Sequence, residues 1–347
     1  MKKFRENVAI AIDGGGIRGV IVTKALTLVE QQLGKPLYEF ARLTVGTSTG
    51  SIIAAGLACG LSAETLNRLY LEMGDKIFRK SLRTVLWIFF NHRYSRDLLE
   101  KSMQKYLGNR LVGDLWKAKP STDLVITTFD ILENRTRFIK PWKDKYAEWP
   151  LVKAVLASSA APTYFPSMDG QFVDGGVGSY NNPCYLAAYE IQFCLGWKAE
   201  ETTLISIGTG RDPNLIKRGA ADHLLPVQYV NPLLDAFAHS ADDQQVHLVD
   251  TFFKGLDFRR FQVDLKTQIP LDDTDQIQAL NSYGEELGRM ILEDRMDGAQ
   301  NVQPELLPRK RATARKSTSR PQTNKSGTPA ASPLRKSPKS APARRKR

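Results

Sequence analysis

The stretch Leu43-Thr44-Val45-Gly46-Thr47-Ser48-Thr49-Gly50 decides how this chain folds. Its apolar first half is typical of a buried strand. Its second half is Gly-x-Ser-x-Gly, a pattern that holds a serine on a sharp turn between a strand and a helix. Gly46 and Gly50 stand where a side chain would crowd that turn, and small residues at 51–58 predict a closely packed helix. The helix dipole would favour negative charge beside Ser48, so this serine is either a nucleophile or an ordinary helix cap.

A glycine-rich loop lies upstream of this turn. Residues 8–12 read Val-Ala-Ile-Ala-Ile, which is typical of a strand buried on both faces of a parallel sheet. Asp13-Gly-Gly-Gly-Ile-Arg-Gly19 follows directly. Consecutive glycines leave successive N–H groups uncovered, and such a loop binds anions. We expect an oxyanion to be held by the amides of the loop glycines, namely Gly14, Gly15 and Gly16.

The same loop also satisfies Gly-x-Gly-x-x-Gly, the pattern of dinucleotide binding. Asp13 disfavours that alternative, because it would place a carboxylate at the mouth of the loop, facing a pyrophosphate. The pattern also needs an acidic residue at the end of a second strand about 20 residues later. Glu39 has roughly that spacing but precedes the next apolar strand. Arg18 is expected either to brace the loop or to attract an anionic head group.

Asp174 is the best candidate for the base that activates Ser48. It ends a short strand at 171–174, and Gly175 and Gly176 leave the turn open beside it. A carboxylate within reach of a serine hydroxyl can act as a general base, although a turn aspartate can also simply bond its own backbone. Four histidines lack a clear triad setting, and the last three follow both Ser48 and Asp174 in the order of a Ser…Asp…His triad: His92, His223, His239 and His247.

Together, the three motifs resemble those of the patatin-like phospholipases. They lie at 13–19, 46–50 and 174–176, and two further segments, 157–165 and 206–210, fit the same family. The match covers residues 6–212. The resemblance implies hydrolysis of lipid acyl esters by a Ser–Asp dyad, with neither a metal nor a cofactor.

The resemblance also assigns roles by motif position. Ser48 would be the nucleophile and Asp174 the base. The first glycine loop would form the oxyanion hole, chiefly through Gly15 and Gly16. The residues that support these motifs are Asp13, Arg18, Gly19, Gly46, Gly50, Gly175 and Gly176.

Strands alternate with helices along the chain, which predicts a three-layer α/β/α architecture with a mainly parallel sheet. Residues 6–212 form the predicted catalytic core. Residues 213–302 are predicted to be a mostly helical part packed on that core, with a late strand at 258–265. From 303 to 347 the composition shifts to Arg, Lys, Ser, Pro, Ala and Thr, which predicts a disordered basic tail.

The basic character of the chain belongs to this tail. Fourteen Lys and Arg and no acidic residue follow position 308, and since the whole chain carries +12, residues 1–308 carry −2. The tail is either a solvated extension or a segment attracted to anionic lipid. Nucleic acid phosphates are a weaker third possibility.

Membrane contact is expected to be peripheral. No apolar run is long enough for a transmembrane helix or a signal peptide. Residues 76–91 predict a basic amphipathic helix that lies either in a membrane interface or on the protein core. Three cysteines without a CxxC pair are typical of reduced thiols in a cytoplasmic protein: Cys59, Cys184 and Cys194.

Two function classes follow from these patterns. The first is a lipid acyl hydrolase of the phospholipase A type that works through an acyl-enzyme intermediate and acts on membrane phospholipid or another acyl lipid. The second is a ligand-activated effector, or a nucleotide- or anion-binding module, whose lipase activity is switched on by a second messenger. Nothing in residues 221–300 identifies such a ligand.

Overall fold

A sheet of seven strands organises the computed structural model, which describes residues 2–78, 92–117, 122–213, 219–229, 232–233 and 242–297. All of these lie in one compact unit, residues 1–306. The strands are Asn7–Ile12 (β1), Ala41–Gly46 (β2), Asp123–Asp130 (β3), Arg135–Ile139 (β4), Phe172–Asp174 (β5), Thr202–Ile207 (β6) and Asp257–Phe261 (β7).

The sheet has the order β4-β3-β2-β1-β6-β7, with β5 paired to β3. Each strand of the run β3-β2-β1-β6-β7 is parallel to the next one. Strands β4 and β5 both pair with β3 and run antiparallel to it. All six residues of β1 are buried, as expected for an apolar strand at the centre of a parallel sheet. The mainly parallel sheet predicted from the sequence is confirmed.

Helices connect the strands and cover the sheet. The described α-helices are Gly19–Leu33 (α1), Thr49–Ala58 (α2), Ala63–Lys76 (α3), Arg96–Leu107 (α4), Asp114–Lys117 (α5), Asp144–Ala147 (α6), Leu151–Ser158 (α7), Cys184–Tyr189 (α8), Asp242–Phe252 (α9) and Ile277–Leu292 (α10).

Side chains of β1 alternate between two cores, one on each face of the sheet. Val8, Ile10 and Ile12 join the larger core, which includes α1, α2, α3, α7 and α10. Ala9 and Ala11 join the smaller core, which includes α8 and α9. This alternation is the period of a strand, and it gives the three-layer α/β/α arrangement that the sequence predicts.

Local sequence signals set several helix ends. Gly34 ends α1 with φ 68°, the left-handed conformation that glycine adopts easily. The hydroxyl of Ser62 accepts the Thr65 N–H at 3.3 Å and caps α3. Helix α7 ends at Ser158, and the Ala160 carbonyl just beyond it accepts the N–H of Asp174, the last residue of β5, at 3.1 Å.

The C-terminal quarter of the described chain contributes to the sheet. The late strand expected at 258–265 is present as β7, which pairs in parallel with β6. Helix α10 lies close to α1, and a methyl group placed on Gly284 would stand 2.8 Å from the carbonyl oxygen of Ile21. The described residues between 213 and 297 therefore supply both a strand and helices to the fold.

Two predicted segments lie wholly or mostly outside the described residues. The structure describes Lys76 to Phe78 of the amphipathic stretch 76–91, with Lys76 as the last residue of α3 and Phe78 buried. Residues 79–91 and the tail 303–347 fall outside it. Among the helices it does describe, none is long and apolar enough to cross a membrane.

Candidate active site

Ser48 stands on a strained turn between β2 and α2. Its φ of 52° and ψ of −123° are unusual for a residue with a side chain, and such strain is found at functional sites. A methyl group on Gly46 would lie 2.2 Å from the Gly50 carbonyl oxygen, and one on Gly50 would lie 2.2 Å from that of Ile12. Only glycine allows strand and helix to approach this closely.

The hydroxyl of Ser48 does not cap the helix. Ser48 occupies the N-cap position of α2, but its side chain accepts no hydrogen bond there. Its backbone N–H donates to the Oγ of Ser158, at the end of α7, over 2.9 Å. The alternative of an ordinary serine cap is therefore wrong. Ser158 holds the turn from across the sequence, and the segment 157–165 was its only sequence signal.

Asp174 ends β5 beside this serine and is 7% exposed. Its Oδ1 accepts the Gly176 N–H at 2.8 Å. Burial raises the pKa of Asp174 to about 6, while hydrogen bonds from the Ser48 hydroxyl and the Gly176 amide act in the opposite direction. A base with a pKa near the working pH is effective. Asp174 thus bonds its own turn and also faces Ser48.

The glycine loop offers fewer donors than expected. The Gly14 N–H donates to the carbonyl oxygen of Asn181 at 3.0 Å, so the expectation that Gly14 donates to an oxyanion is wrong. Within the described ranges, the amides of Gly15 and Gly16 have no protein acceptor, and both residues line the same pocket as Ser48. These two amides are the candidate oxyanion donors.

Two charged residues of the loop are buried in ion pairs. Asp13 is 2% exposed, and its carboxylate receives two hydrogen bonds from Arg260 on β7, at 2.9 and 2.6 Å. The expectation of a carboxylate at the loop mouth is therefore wrong, because Arg260 neutralises it beneath the loop. Arg18 is 1% exposed and pairs with Asp212 at 2.5 Å. It braces the loop and does not reach toward an anionic head group.

The remaining motif glycines allow close packing around the site. A methyl group on Gly19 would lie 2.5 Å from the Thr49 Oγ1, and one on Gly175 would lie 2.1 Å from the Thr127 Oγ1. On Gly176 it would lie 3.2 Å from the Asp174 Oδ1. These glycines therefore keep three segments in contact: the glycine loop at 13–19, the turn at 46–50 that carries Ser48 (the elbow), and the turn at 174–176 (the aspartate turn).

A pocket opens over these groups, with polar atoms at one end and apolar side chains along the rest. The polar end contains Gly15, Gly16, Ser48, Asp174 and Asn181. The apolar lining includes Ile52, Met73, Phe78, Leu99, Phe165 and Leu271. Such a lining suits a long hydrocarbon chain whose carbonyl reaches the polar end.

Among the residues that the structure describes, no histidine lines this pocket. His223 is exposed and His92 is half-buried. The His247 Nε2 lies 3.4 Å from the Thr251 Oγ1 on the exposed side of α9, and His239 lies outside the described residues. The arrangement favours a carboxylate base over a triad.

In the same described ranges, no group of three or more His, Cys, Asp or Glu side chains stands close enough together to hold a metal ion. All three cysteines are free thiols rather than disulfides: Cys59, Cys184 and Cys194.

The family model described as "Patatin-like phospholipase" matches residues 10–188 of the chain. The matched range begins in β1 and ends in α8, so it contains the glycine loop, the Ser48 elbow and the Asp174 turn. It covers more than half of the chain.

Three curated relatives are similar to this chain. An intracellular phospholipase A2 of Caenorhabditis elegans is 30% identical over 260 residues, which are 70% of this chain and 23% of that protein. A cGAMP-activated phospholipase of Pseudomonas aeruginosa is 28% identical, over 61% of this chain and 65% of that protein. Patatin-like protein 1 of Oryza sativa is 32% identical, over 52% of this chain and 50% of that protein. The chain spans less than two thirds of each relative.

Solved structures show weaker similarity. The match to VipD of Legionella pneumophila covers 84% of this chain and 67% of VipD, with a TM-score of 0.44 and 11% identity. The type III effector ExoU covers 84% and 53%, with a TM-score of 0.39 and 13% identity. The family match and the sheet order, rather than these two likenesses, establish the fold.

Proposed function

We propose that this chain, which belongs to the patatin-like phospholipase family, cleaves fatty acyl esters of membrane lipids through an acyl-enzyme on Ser48. One observation carries the proposal: the hydroxyl of Ser48 and the carboxylate of Asp174 meet at the polar end of an apolar pocket. A nucleophile, a base and a chain-binding surface are the parts that lipid ester hydrolysis needs.

Acylation begins when Asp174 accepts the hydroxyl proton of Ser48 and the Oγ attacks the ester carbonyl. The amides of Gly15 and Gly16 then donate to the oxyanion of the tetrahedral intermediate. Preorganised donors of this kind usually contribute most to the rate, and losing one costs roughly 10²- to 10³-fold in kcat. Asp174 returns its proton to the ester oxygen as the alcohol or lysolipid leaves.

Deacylation repeats these steps with water. Asp174 takes a proton from a water molecule that attacks the acyl-enzyme, and the same two amides hold the second oxyanion. Collapse of this intermediate releases the fatty acid, and the proton returns to the Oγ of Ser48. A buried carboxyl with a pKa of about 6 can alternate between these two roles near neutral pH.

Replacing either member of the dyad tests the proposal. We expect Ser48→Ala and Asp174→Asn each to lower kcat by about 10⁴-fold or more while the circular dichroism spectrum stays unchanged. Hydrolysis is measured with phosphatidylcholine vesicles and with a nitrophenyl ester. Ser282→Ala, on the exposed face of α10, is the matched control and should keep full activity.

Full activity in Ser48→Ala or Asp174→Asn would contradict the dyad. Loss of activity in a folded His223, His239 or His247 variant would instead favour a triad. A fluorophosphonate probe gives an independent readout, because it should label the wild type and not Ser48→Ala. A pure binding module would not react at all.

Peripheral membrane binding is part of the same proposal and rests on sequence pattern alone. Removing residues 303–347 should weaken binding to anionic vesicles at low salt, because each basic residue near such a surface contributes about 1 kcal/mol. Binding to zwitterionic vesicles is the control. Unchanged binding would contradict a membrane role for the tail, and a salt-dependent loss of RNA binding would favour nucleic acid.

Activation by a ligand is a second candidate, suggested by the similarity of this chain to the cGAMP-activated phospholipase of Pseudomonas aeruginosa. Hydrolysis by the full chain with and without cGAMP tests it. A large increase in kcat would support it, and equal rates would contradict activation by this ligand.

A further inference from the structure

Asn181 lies inside the candidate active site without a role assigned so far. It follows the Asp174 turn and lines the pocket. Its main-chain carbonyl accepts the Gly14 N–H at 3.0 Å. A methyl group placed on Gly14 would lie 2.2 Å from the Asn181 Oδ1, so the carboxamide packs directly against the glycine loop.

The carboxamide also lies near the nucleophile and the base. The methyl position on Gly14 is 3.2 Å from the Cβ of Ser48. A methyl group on Gly176 would lie 3.2 Å from the Asn181 Oδ1 and 3.2 Å from the Asp174 Oδ1. Asn181 therefore stands where the glycine loop, the elbow and the aspartate turn converge.

The side chain of Asn181 is free to bind a ligand. In the part of the chain that the structure describes, its carboxamide has no hydrogen-bond partner. The neighbouring Asn182 differs, because its Nδ2 donates to Asp242 at 2.7 Å and its Oδ1 accepts the Cys184 N–H at 3.0 Å. Asn182 thus holds the fold together, whereas Asn181 presents two donors and one acceptor to a mostly apolar pocket.

The tetrahedral intermediate leaves one position for such a group. Its carbon carries the Ser48 Oγ, an oxyanion facing Gly15 and Gly16, an acyl chain in the apolar lining, and a fourth substituent. That fourth substituent is an oxygen that exchanges a proton with Asp174. It is the ester oxygen during acylation and the water oxygen during deacylation, and by microscopic reversibility both occupy one place.

We propose that Asn181 is a catalytic residue whose NH₂ group donates a hydrogen bond to this oxygen in both steps. The proposal rests on the function proposed above. The hydrogen bond places the leaving oxygen, and later the water, within reach of Asp174, and the proton itself moves only between Asp174 and that oxygen. An alanine at this position would keep the main-chain carbonyl that binds Gly14, so the loop should remain in place.

The dependence on the leaving group distinguishes this role from a structural one. A lipid alcohol must be protonated as it leaves, whereas nitrophenolate leaves without a proton. We expect Asn181→Ala to lower kcat on phosphatidylcholine about 10- to 100-fold, with little change in KM. The acylation burst with a nitrophenyl ester should fall by less than about threefold, since that step needs no proton transfer to the leaving group.

Asn181→Asp provides an isosteric second test. A carboxylate at this position would raise the pKa of Asp174, because like charges disfavour ionisation. The acid limb of the rate profile should therefore move to higher pH. Asn281→Ala, on α10 and outside the pocket lining, is the matched control and should leave both rates and the pH profile unchanged.

Each outcome decides the proposal. A kcat within about twofold of wild type on phosphatidylcholine, or a nitrophenyl acylation burst that slows as much as kcat on phosphatidylcholine falls, would overturn it. If Asn181→Ala does not fold, the same comparison of the two esters with Asn181→Asp, whose carboxylate lacks the NH₂ donor, decides in its place. A wild type that neither hydrolyses lipid nor reacts with fluorophosphonate would show that the proposed function has failed, which is a separate result.

Discussion

Asp174 is placed so that it can serve both its own turn and the proposed catalytic site. Its Oδ1 accepts the Gly176 N–H at 2.8 Å, as a turn aspartate does, and its carboxylate also faces the Ser48 hydroxyl. The sequence left these as alternatives, yet a carboxylate has enough lone pairs for both. Burial disfavours its charged form, so the same environment that fixes the side chain raises its pKa.

The pH dependence of hydrolysis follows from this pKa. Asp174 is a base only when it is ionised, and its pKa is raised to about 6. We expect kcat/KM to be level above this pH and to fall about tenfold for each pH unit below it. Initial rates with a soluble ester, measured from pH 4 to pH 9, give the acid limb of the pH–rate profile.

A histidine base would titrate in a similar range, so the identity of the group needs its own control. Ionisation of a carboxyl creates charge, whereas loss of a proton from imidazolium does not. A miscible organic solvent should therefore move the limb to higher pH. A limb that stays in place or moves to lower pH would contradict Asp174 as the base.

At the scale of elements, the site is shaped by the turn at Ser48 and by a strap, residues 271–272. Leu271 belongs to a segment between β7 and α10, and its carbonyl accepts the Ile17 N–H at 2.8 Å. The next residue, Asp272, accepts the hydroxyl of Tyr94 at 2.8 Å and Arg93 at 3.2 Å. This strap therefore joins the glycine loop to the segment that precedes α4, and it places Leu271 in the pocket wall.

The elbow depends on Gly50, which gives a test of close packing. In Gly50→Ala the new methyl group would meet the backbone oxygen of Ile12 at 2.2 Å, and strand and helix would have to separate. We expect a loss of about 2 kcal/mol or more in the free energy of unfolding and a large loss of hydrolysis. Urea denaturation and ester hydrolysis measure the two effects.

Gly34→Ala is the control for this substitution. A methyl group on Gly34 meets nothing within 4 Å, although its φ of 68° disfavours other residues. We expect a cost of about 1 kcal/mol and normal activity per folded molecule. Equal effects of the two substitutions would show that contact with Ile12 is unimportant.

At the scale of the whole molecule, the late strand β7 contacts residues from the beginning of the chain. Arg260 of β7 binds Asp13 beneath the glycine loop and also bonds the Ser206 hydroxyl at 2.9 Å. Burial by itself would lower the pKa of the Arg260 guanidinium, but the neighbouring carboxylates of Asp13 and Asp242 raise this pKa and keep the group charged. The late strand thus supports the glycine loop, although the strand lies outside the matched family range.

Breaking the pair between Arg260 and Asp13 tests whether the glycine loop depends on β7. Arg260→Met would remove the guanidinium that pairs with the buried carboxylate of Asp13, and loss of one member of a buried pair typically costs about 3–5 kcal/mol. We expect a correspondingly lower free energy of unfolding in urea, with reduced hydrolysis. Arg289→Met, which removes an exposed pair with Glu286, should cost less than about 1 kcal/mol. Similar values for both would contradict the role of Arg260.

By itself, the sequence determined the features that depend on neighbouring residues. The buried strand β1, the elbow at Ser48 and the membership of the family were predicted correctly, because strand period and glycine requirements act within a few residues. The order of the motifs also pointed to Asp174. These are local constraints, and they are written directly in the chain.

Only the tertiary structure decided how distant groups use those motifs. In the folded protein the Gly14 amide donates to Asn181, and the Ser48 amide donates to Ser158. The Asp13 carboxylate accepts hydrogen bonds from Arg260. Ser48 and Ser158 are 110 residues apart in the sequence, and Asp13 and Arg260 are 247 residues apart. No local pattern predicts which buried polar groups will meet across such separations. The reason is physical: a buried donor or acceptor must find a partner, and the folded packing alone selects which one is near.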